Sequence, residues 1–237
     1  MTPPICRAAK AELAKLATLP AFRCAALVMT AAGVALTTLH STAPTGETTA
    51  AAAVARAVPF LQVGPILLGV LAAATEYDGG QIRTTLTAVP NRTTALTGKA
   101  AACLAAAGAT TTATAALATA RLAADPTGRE PTSLGSPCTI VGIVAYLVLI
   151  SLLAHGLAIT LRSAIPPLAI MLTLVLIASP LLSEVTDYAR WLPDQAGKPL
   201  YQPSPTPCTP WNSAVILLLW TTATSLAAAT TFLKRDA

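Results

Sequence analysis

Charged side chains are scarce in this chain: Asp, Glu, Lys and Arg supply 11% of its 237 residues, less than half the roughly 25% of soluble proteins. With 54% hydrophobic residues and a mean hydropathy of +0.65, that scarcity excludes an ordinary soluble domain and indicates an integral membrane protein. Aromatics supply only 4%, so the apolar content is mostly Ala, Leu, Val and Ile mixed with Thr. Such spans are only moderately hydrophobic, and their composition points to a high-GC bacterial genome. No basic run or basic–aromatic interleaving accompanies the net charge of +5, which excludes a nucleic-acid partner. The five cysteines form no CxxC pair, leaving zinc and redox sites unsupported. His40 and His155 are the only histidines, and neither H-E-x-x-H nor G-x-S-x-G occurs. Ser151 stands one helical turn before His155, yet no third group is visible to orient a nucleophile pair. No phosphate-cradling G-x-x-x-x-G-K-[ST] loop occurs, so the chain is not expected to hydrolyse ATP by itself. Catalytic residues, a metal and a bound cofactor are all expected to be absent.

What is present is a set of apolar runs. A helical span needs about 20 mostly apolar residues, and six candidates fall near 20–39, 57–75, 99–120, 139–160, 166–182 and 213–233. The third is nearly all Ala and Thr, so it should be buried among other helices, with Gly98, Ala102, Ala105 and Gly108 allowing close approach. Pro59 and Pro65 should bend the second. No acidic residue lies deep in a span, which argues against an ion-coupled carrier. His155, the one ionisable candidate inside a span, reads as a packing histidine or a proton relay. Arg56 reads as a snorkelling anchor at the start of the second span.

Charge fixes the expected orientation. With the N-terminus in the cytoplasm, Arg7, Lys10, Lys15, Arg23, Arg83, Arg92, Lys99, Arg162, Lys234 and Arg235 lie inside, against Arg56, Arg121, Arg129, Arg190 and Lys198 outside. The positive-inside rule favours that arrangement, with both termini cytoplasmic. A secretory signal peptide over residues 1–40 is the competing reading of the N-terminus. Its long head is itself amphipathic: over residues 4–18, Ile5, Ala9, Leu13 and Leu16 share one face, as in a helix lying along the membrane surface.

On the outer side, Cys138 and Cys208 are candidates for a disulfide. The longest loop, 183–212, repeats Val185, Tyr188, Ala189 and Leu192 at helical spacing and predicts an interfacial or re-entrant helix. Pro199, Pro203, Pro205, Pro207 and Pro210 then predict an extended strap. The cytoplasmic loop 76–98 has the most information. Asp78 can cap a helix and Gln81 can reach back to it. Ile82, Leu86 and Val89 then fall on one face before Pro90, with Arg83 and Arg92 flanking. Such a helix suits the groove of a partner protein with an acidic rim. A solvated loop whose arginines only fix topology fits the local pattern equally well.

Three pieces resemble the permease subunits of type 2 ABC exporters: Ala11-Glu12-Leu13-Ala14-Lys15-Leu16, the stretch from Glu76-Tyr77 through Gly79-Gly80, Arg83-Thr84-Thr85-Leu86 and Pro90 to Arg92, and Ala189-Arg190-Trp191-Leu192-Pro193-Asp194-Gln195-Ala196-Gly197. With the six-span layout the resemblance covers essentially the whole chain as one all-α membrane domain, 1–237. It implies a bacterial plasma-membrane permease that pairs with a second permease, a copy or a paralogue, and draws energy from a separate ATPase subunit that binds the ATP. The loop with Glu76, Asp78, Ile82, Arg83, Leu86 and Arg92 would then be the coupling element, and the cargo an amphiphilic small molecule, peptide or antibiotic. A membrane anchor, immunity or sensor component that binds a partner without transport is the alternative.

Overall fold

The computed structural model describes residues 4–41, 49–78, 91–124, 134–202 and 210–234. Helices α1 (Pro4–Thr18) and α2 (Pro20–Ser41) follow one another directly. Then come α3 (Ala50–Leu61), α4 (Val63–Asp78), α5 (Arg92–Ala123) and α6 (Pro137–Leu161). The next helix has three parts: α7 (Ile165–Thr173), a π turn (Leu174–Ala178) and α8 (Ser179–Val185). Short turns follow at Asp187–Trp191, α9 (Pro193–Gly197) and Lys198–Leu200, and α10 (Pro210–Lys234) closes the sequence. Among the described residues there is no strand.

Five helices are long and apolar enough to cross a membrane, and the bent pair α3 and α4 makes a sixth if counted as one span. This is an all-helical membrane protein. The bend is 50° and has a local cause. Pro65 has no N–H to offer the Leu61 carbonyl, and its ring crowds that oxygen. Gln62 occupies the break, its side chain donating to the Pro59 carbonyl at 2.8 Å. A second irregularity has the same origin: Pro180 would clash with the Leu176 carbonyl in a regular helix, and the Ser179 N–H instead reaches back five residues to Leu174.

Helix α6 is the centre. Ile143, Tyr146, Ile150, Ala154 and Ala158 are fully buried, facing Ile66, Val70 and Ala74 of α4, Met171 and Val175 of the broken helix, and Leu217 and Phe232 of α10. In lipid, such contacts hold by close packing rather than by removal from water. The Ala/Thr-rich α5 follows its composition in part: Gly98 and Ala102 are buried as expected, but Ala105 is exposed and a Cβ on Gly108 would meet only Val148, at 4.0 Å. Ala102, Ala106, Thr111, Thr114 and Ala118 point inward, while Leu104 and Leu117 are about half exposed. Thr30 and Thr114 join α2 to α5 through their hydroxyls at 3.2 Å.

Boundaries differ from the sequence expectation where helices run on beyond the apolar residues. The helical pair expected as the second span starts at Ala50 rather than near 57, so Arg56 lies in the second turn of α3, half-buried. The expected loop 76–98 is helical at both ends, with 76–78 finishing α4 and 92–98 opening α5. In the 183–212 loop the turns at 187–200 are helical but short, and Ala189 is the buried member of its apolar set. Val185 and Tyr188 stay outside.

Candidate functional site

Of the residues that the sequence marks for partner contact, Arg92 is the one whose side chain is described, at one end of the bundle. Asn91 caps α5 by accepting from the Thr93 and Thr94 N–H groups. The next residue, Arg92, turns toward the end of α10 and donates to the Phe232 and Leu233 carbonyls, both at 3.4 Å. A cation suits that position, where the last carbonyls of a helix lack intrahelical partners. Beside it, Arg162 ends α6 in a left-handed conformation, φ 52°, at a position usually given to Gly. Its guanidinium lies 5.9 Å from the ring of Tyr77 at the end of α4. Burial pushes the Tyr77 phenol up from its ordinary value, against the opposing effect of Arg162. Of the proposed coupling residues, Glu76 and Asp78 fall in the last turn of α4 with side chains outside the described residues. Ile82, Arg83 and Leu86 lie outside them altogether.

Helix α1 docks on the opening of α5 at this same end. Gly98 is where the backbones meet, since a Cβ there would press on Ala8 and Ala9. The face turned inward carries Ala8, Ala9, Glu12, Lys15 and Leu16, whereas Ile5 and Leu13 are exposed. Glu12 bridges two cations, Lys99 at 3.2 Å and Lys15 at 3.4 Å. Partial burial, with the nearby Lys99 charge second, pulls the Lys15 ammonium down from its ordinary value. Lys99, read from sequence as a topology charge, is in fact a buried structural cation at 4% exposure.

Deeper in the same half, Lys99 and Cys103 on α5 face Ser151 and His155 on α6. Cys103 Sγ and Ser151 Oγ are 3.8 Å apart. His155 Nδ1 lies 3.2 Å from the Gly69 carbonyl, which can only accept, so the proton sits on Nδ1. Nε2 is buried without a partner. Ser151 and His155 share no hydrogen bond: Ser151 faces Cys103, and His155 turns Nδ1 to Gly69. Among the described residues no three His, Cys, Asp or Glu side chains could share a metal ion.

The opposite end holds a polar cluster that sequence reasoning did not assemble. Tyr146 donates its hydroxyl to Gln62 at the bend of the second span, and its ring lies 5.2 Å from that of Tyr201. Asp194 lies against this pair at 5% exposure. Its carboxyl is raised from the ordinary value, chiefly by burial, and the Tyr201 phenol is raised by burial and by Asp194 itself. Gln195 donates to Asp194 Oδ2 at 3.2 Å. Ser179 faces the carboxylate, yet Ser179 Oγ and Asp194 Oδ1 lack a partner in hydrogen-bonding geometry. The segment is seated through Gly142, where a Cβ would overlap the Leu200 carbonyl. It is also held by Trp220 Nε1, which donates to the Trp191 carbonyl at 2.8 Å. The sequence signal was one of position: Gln62 and Tyr146, polar residues inside apolar runs. Cys138 opens α6 in an exposed position, and its candidate partner Cys208 lies outside the described residues.

No family model matches the chain, and no curated protein matches it.

Proposed function

We propose that the chain is the membrane-spanning permease subunit of an ATP-driven exporter of the type 2 ABC class, working with a separate ATPase subunit and a second permease. The observation that carries this reading is the mechanical linkage around residues 76–92. The segment leaves a bent span and enters α5, and both flanks are tied to other helices: Tyr77 to the α6 terminus through Arg162, and Arg92 to the α10 terminus. A push on this segment would reach α4, α5, α6 and α10 together. That is what a receiver of a partner's movement needs, and the resemblance of Glu76 to Arg92 to exporter coupling loops supports it.

On this reading the six spans are α2, the bent α3–α4 pair, α5, α6, the α7–α8 helix and α10. The end with α1, Arg92 and Arg162 faces the cytoplasm, as the excess of Lys and Arg there favours. The chain sits in a bacterial plasma membrane, α1 lies along the inner surface, and α9 belongs to the outer side. ATP-driven closure of the ATPases moves the segment with Ile82, Arg83 and Leu86, and a cavity between two permeases changes its exposure to the two sides. The cargo class is an amphiphilic small molecule, peptide or antibiotic.

Purification of the full chain from its native membrane tests the proposal. An ATPase recovered in equal amounts is expected, and Arg83→Glu combined with Leu86→Asp should release it. A different partner with no ATPase would overturn the exporter in favour of a non-transporting anchor or immunity component.

A further inference from the structure

At the α9 end, an open pocket of about 430 Å³ lies between the short turns of 187–200 and the first turns of α10. Its lining is divided in chemistry. Arg190, Asn212 and Ser213 are its polar members and Pro199, Ile216 and Leu219 are among its apolar ones, with Asn212, Ile216 and Leu219 following one face of α10. Another pocket, about 300 Å³ against α2 and the bend between α3 and α4, is lined by apolar side chains and glycine alone. It has nothing to choose among apolar occupants.

Three observations narrow what the divided pocket would take. Arg190 is exposed, and among the described residues it meets no carboxylate; its guanidinium lies 5.9 Å from the Trp191 ring. A guanidinium over an aromatic face keeps its planar fork of donors available to a phosphate or carboxylate. Second, Tyr188, Trp191 and Trp211 are exposed around the pocket at 79%, 52% and 77%. Aromatic side chains with a polar edge collect at the headgroup level of a bilayer. Third, the apolar lining continues along α10 away from the pocket, with Leu219 and Leu226 both exposed.

We propose that this pocket is a binding site for an anionic phospholipid of the adjoining leaflet. The headgroup phosphate is held by Arg190 with Asn212 at the pocket mouth, and the first part of an acyl chain lies against Ile216 and Leu219. The site stands on the membrane character of the chain and does not depend on the exporter reading. It gives α9 and its flanking turns a lipid ligand that ties them to the start of α10.

Native mass spectrometry of the full chain in detergent, titrated with phosphatidylglycerol and with phosphatidylcholine, tests the site. The wild-type chain should retain phosphatidylglycerol about tenfold more strongly, as expected for one charge-assisted contact. Arg190→Gln should remove that preference, and Arg190→Lys should keep part of it. Asn212→Asp, an exposed change that places a carboxylate at the mouth, should remove it independently if Arg190→Gln folds poorly. Ile216→Trp should weaken retention of both lipids by filling the apolar side. An unchanged preference in both Arg190→Gln and Asn212→Asp would overturn the proposal. So would inorganic phosphate binding as tightly as phosphatidylglycerol, because the site would then recognise an ion and not a lipid.

Discussion

The two ends of the bundle bury charge in opposite ways. At the α1 end, Glu12 enters with two lysines, and the pair with Lys99 spans elements 87 residues apart. At the α9 end, Asp194 forms no ion pair among the described residues, although the Lys198 charge acts on it, and it leans on Gln195, with Ser179 beside it. A buried pair is strongly destabilising to break and contributes little when replaced as a whole. A lone buried carboxylate is a standing cost that neutralisation relieves. The first end is therefore a latch, and the second is an end whose hold depends on proton occupancy.

The largest effect expected from breaking this contrast is at the latch. Lys99→Met leaves Glu12 without its buried partner and should cost about 3 kcal/mol, the low end for a broken buried pair. Combining it with Glu12→Gln should restore most of that loss. Thermal unfolding of the four proteins in detergent measures the coupling, and equal costs for the single and double variants would abolish the distinction. Next in size, Gly142→Leu drives a side chain into the Leu200 carbonyl and should cost about 2 kcal/mol by overpacking. The damage should be confined to the α9 end, seen as faster amide exchange in residues 187–202 with α1 unaffected.

The smallest effect sharpens the comparison through pH. The Asp194 carboxyl is raised above its ordinary 3.8, so the folded state holds a proton that the unfolded chain has released. Stability is highest below 3.8 and falls as pH rises through the window up to the raised value. Asp194→Asn should abolish that slope and raise stability at neutral pH by about 1 kcal/mol. Melting temperatures across this window measure it, and a parallel slope in the variant would contradict it.

Much of the architecture was legible because membrane helices declare themselves by length and apolarity. The bend could be read from Pro59 and Pro65, and the inward face of α5 from its small residues. Polar pairing was not legible. Lys99 carries the same local signature as any lysine at the end of a span, and only the docking of α1 supplies Glu12. The apolar stripe of α1 misled in part, since Ala9 and Leu16 turn inward while Ile5 and Leu13 do not. The side chain of Glu12 reaches a cation that no periodicity could reveal. Arg92 was readable as a flank of the loop after α4, but its grip on the α10 carbonyls comes from a helix 140 residues away. The π turn was signalled only by Pro180, a residue equally at home in a simple kink.

That π turn sets the phase of the helix that contains it. One extra residue in a turn advances every later side chain by about 100° relative to an uninterrupted helix. Ser179, which faces Asp194, stands directly after that advance. Deleting one residue from 174–178 would regularise the backbone and rotate Ser179 toward a different neighbour. The helix thus keeps two facings, one for the bundle and one for the turns around α9, separated by a single residue's worth of rotation.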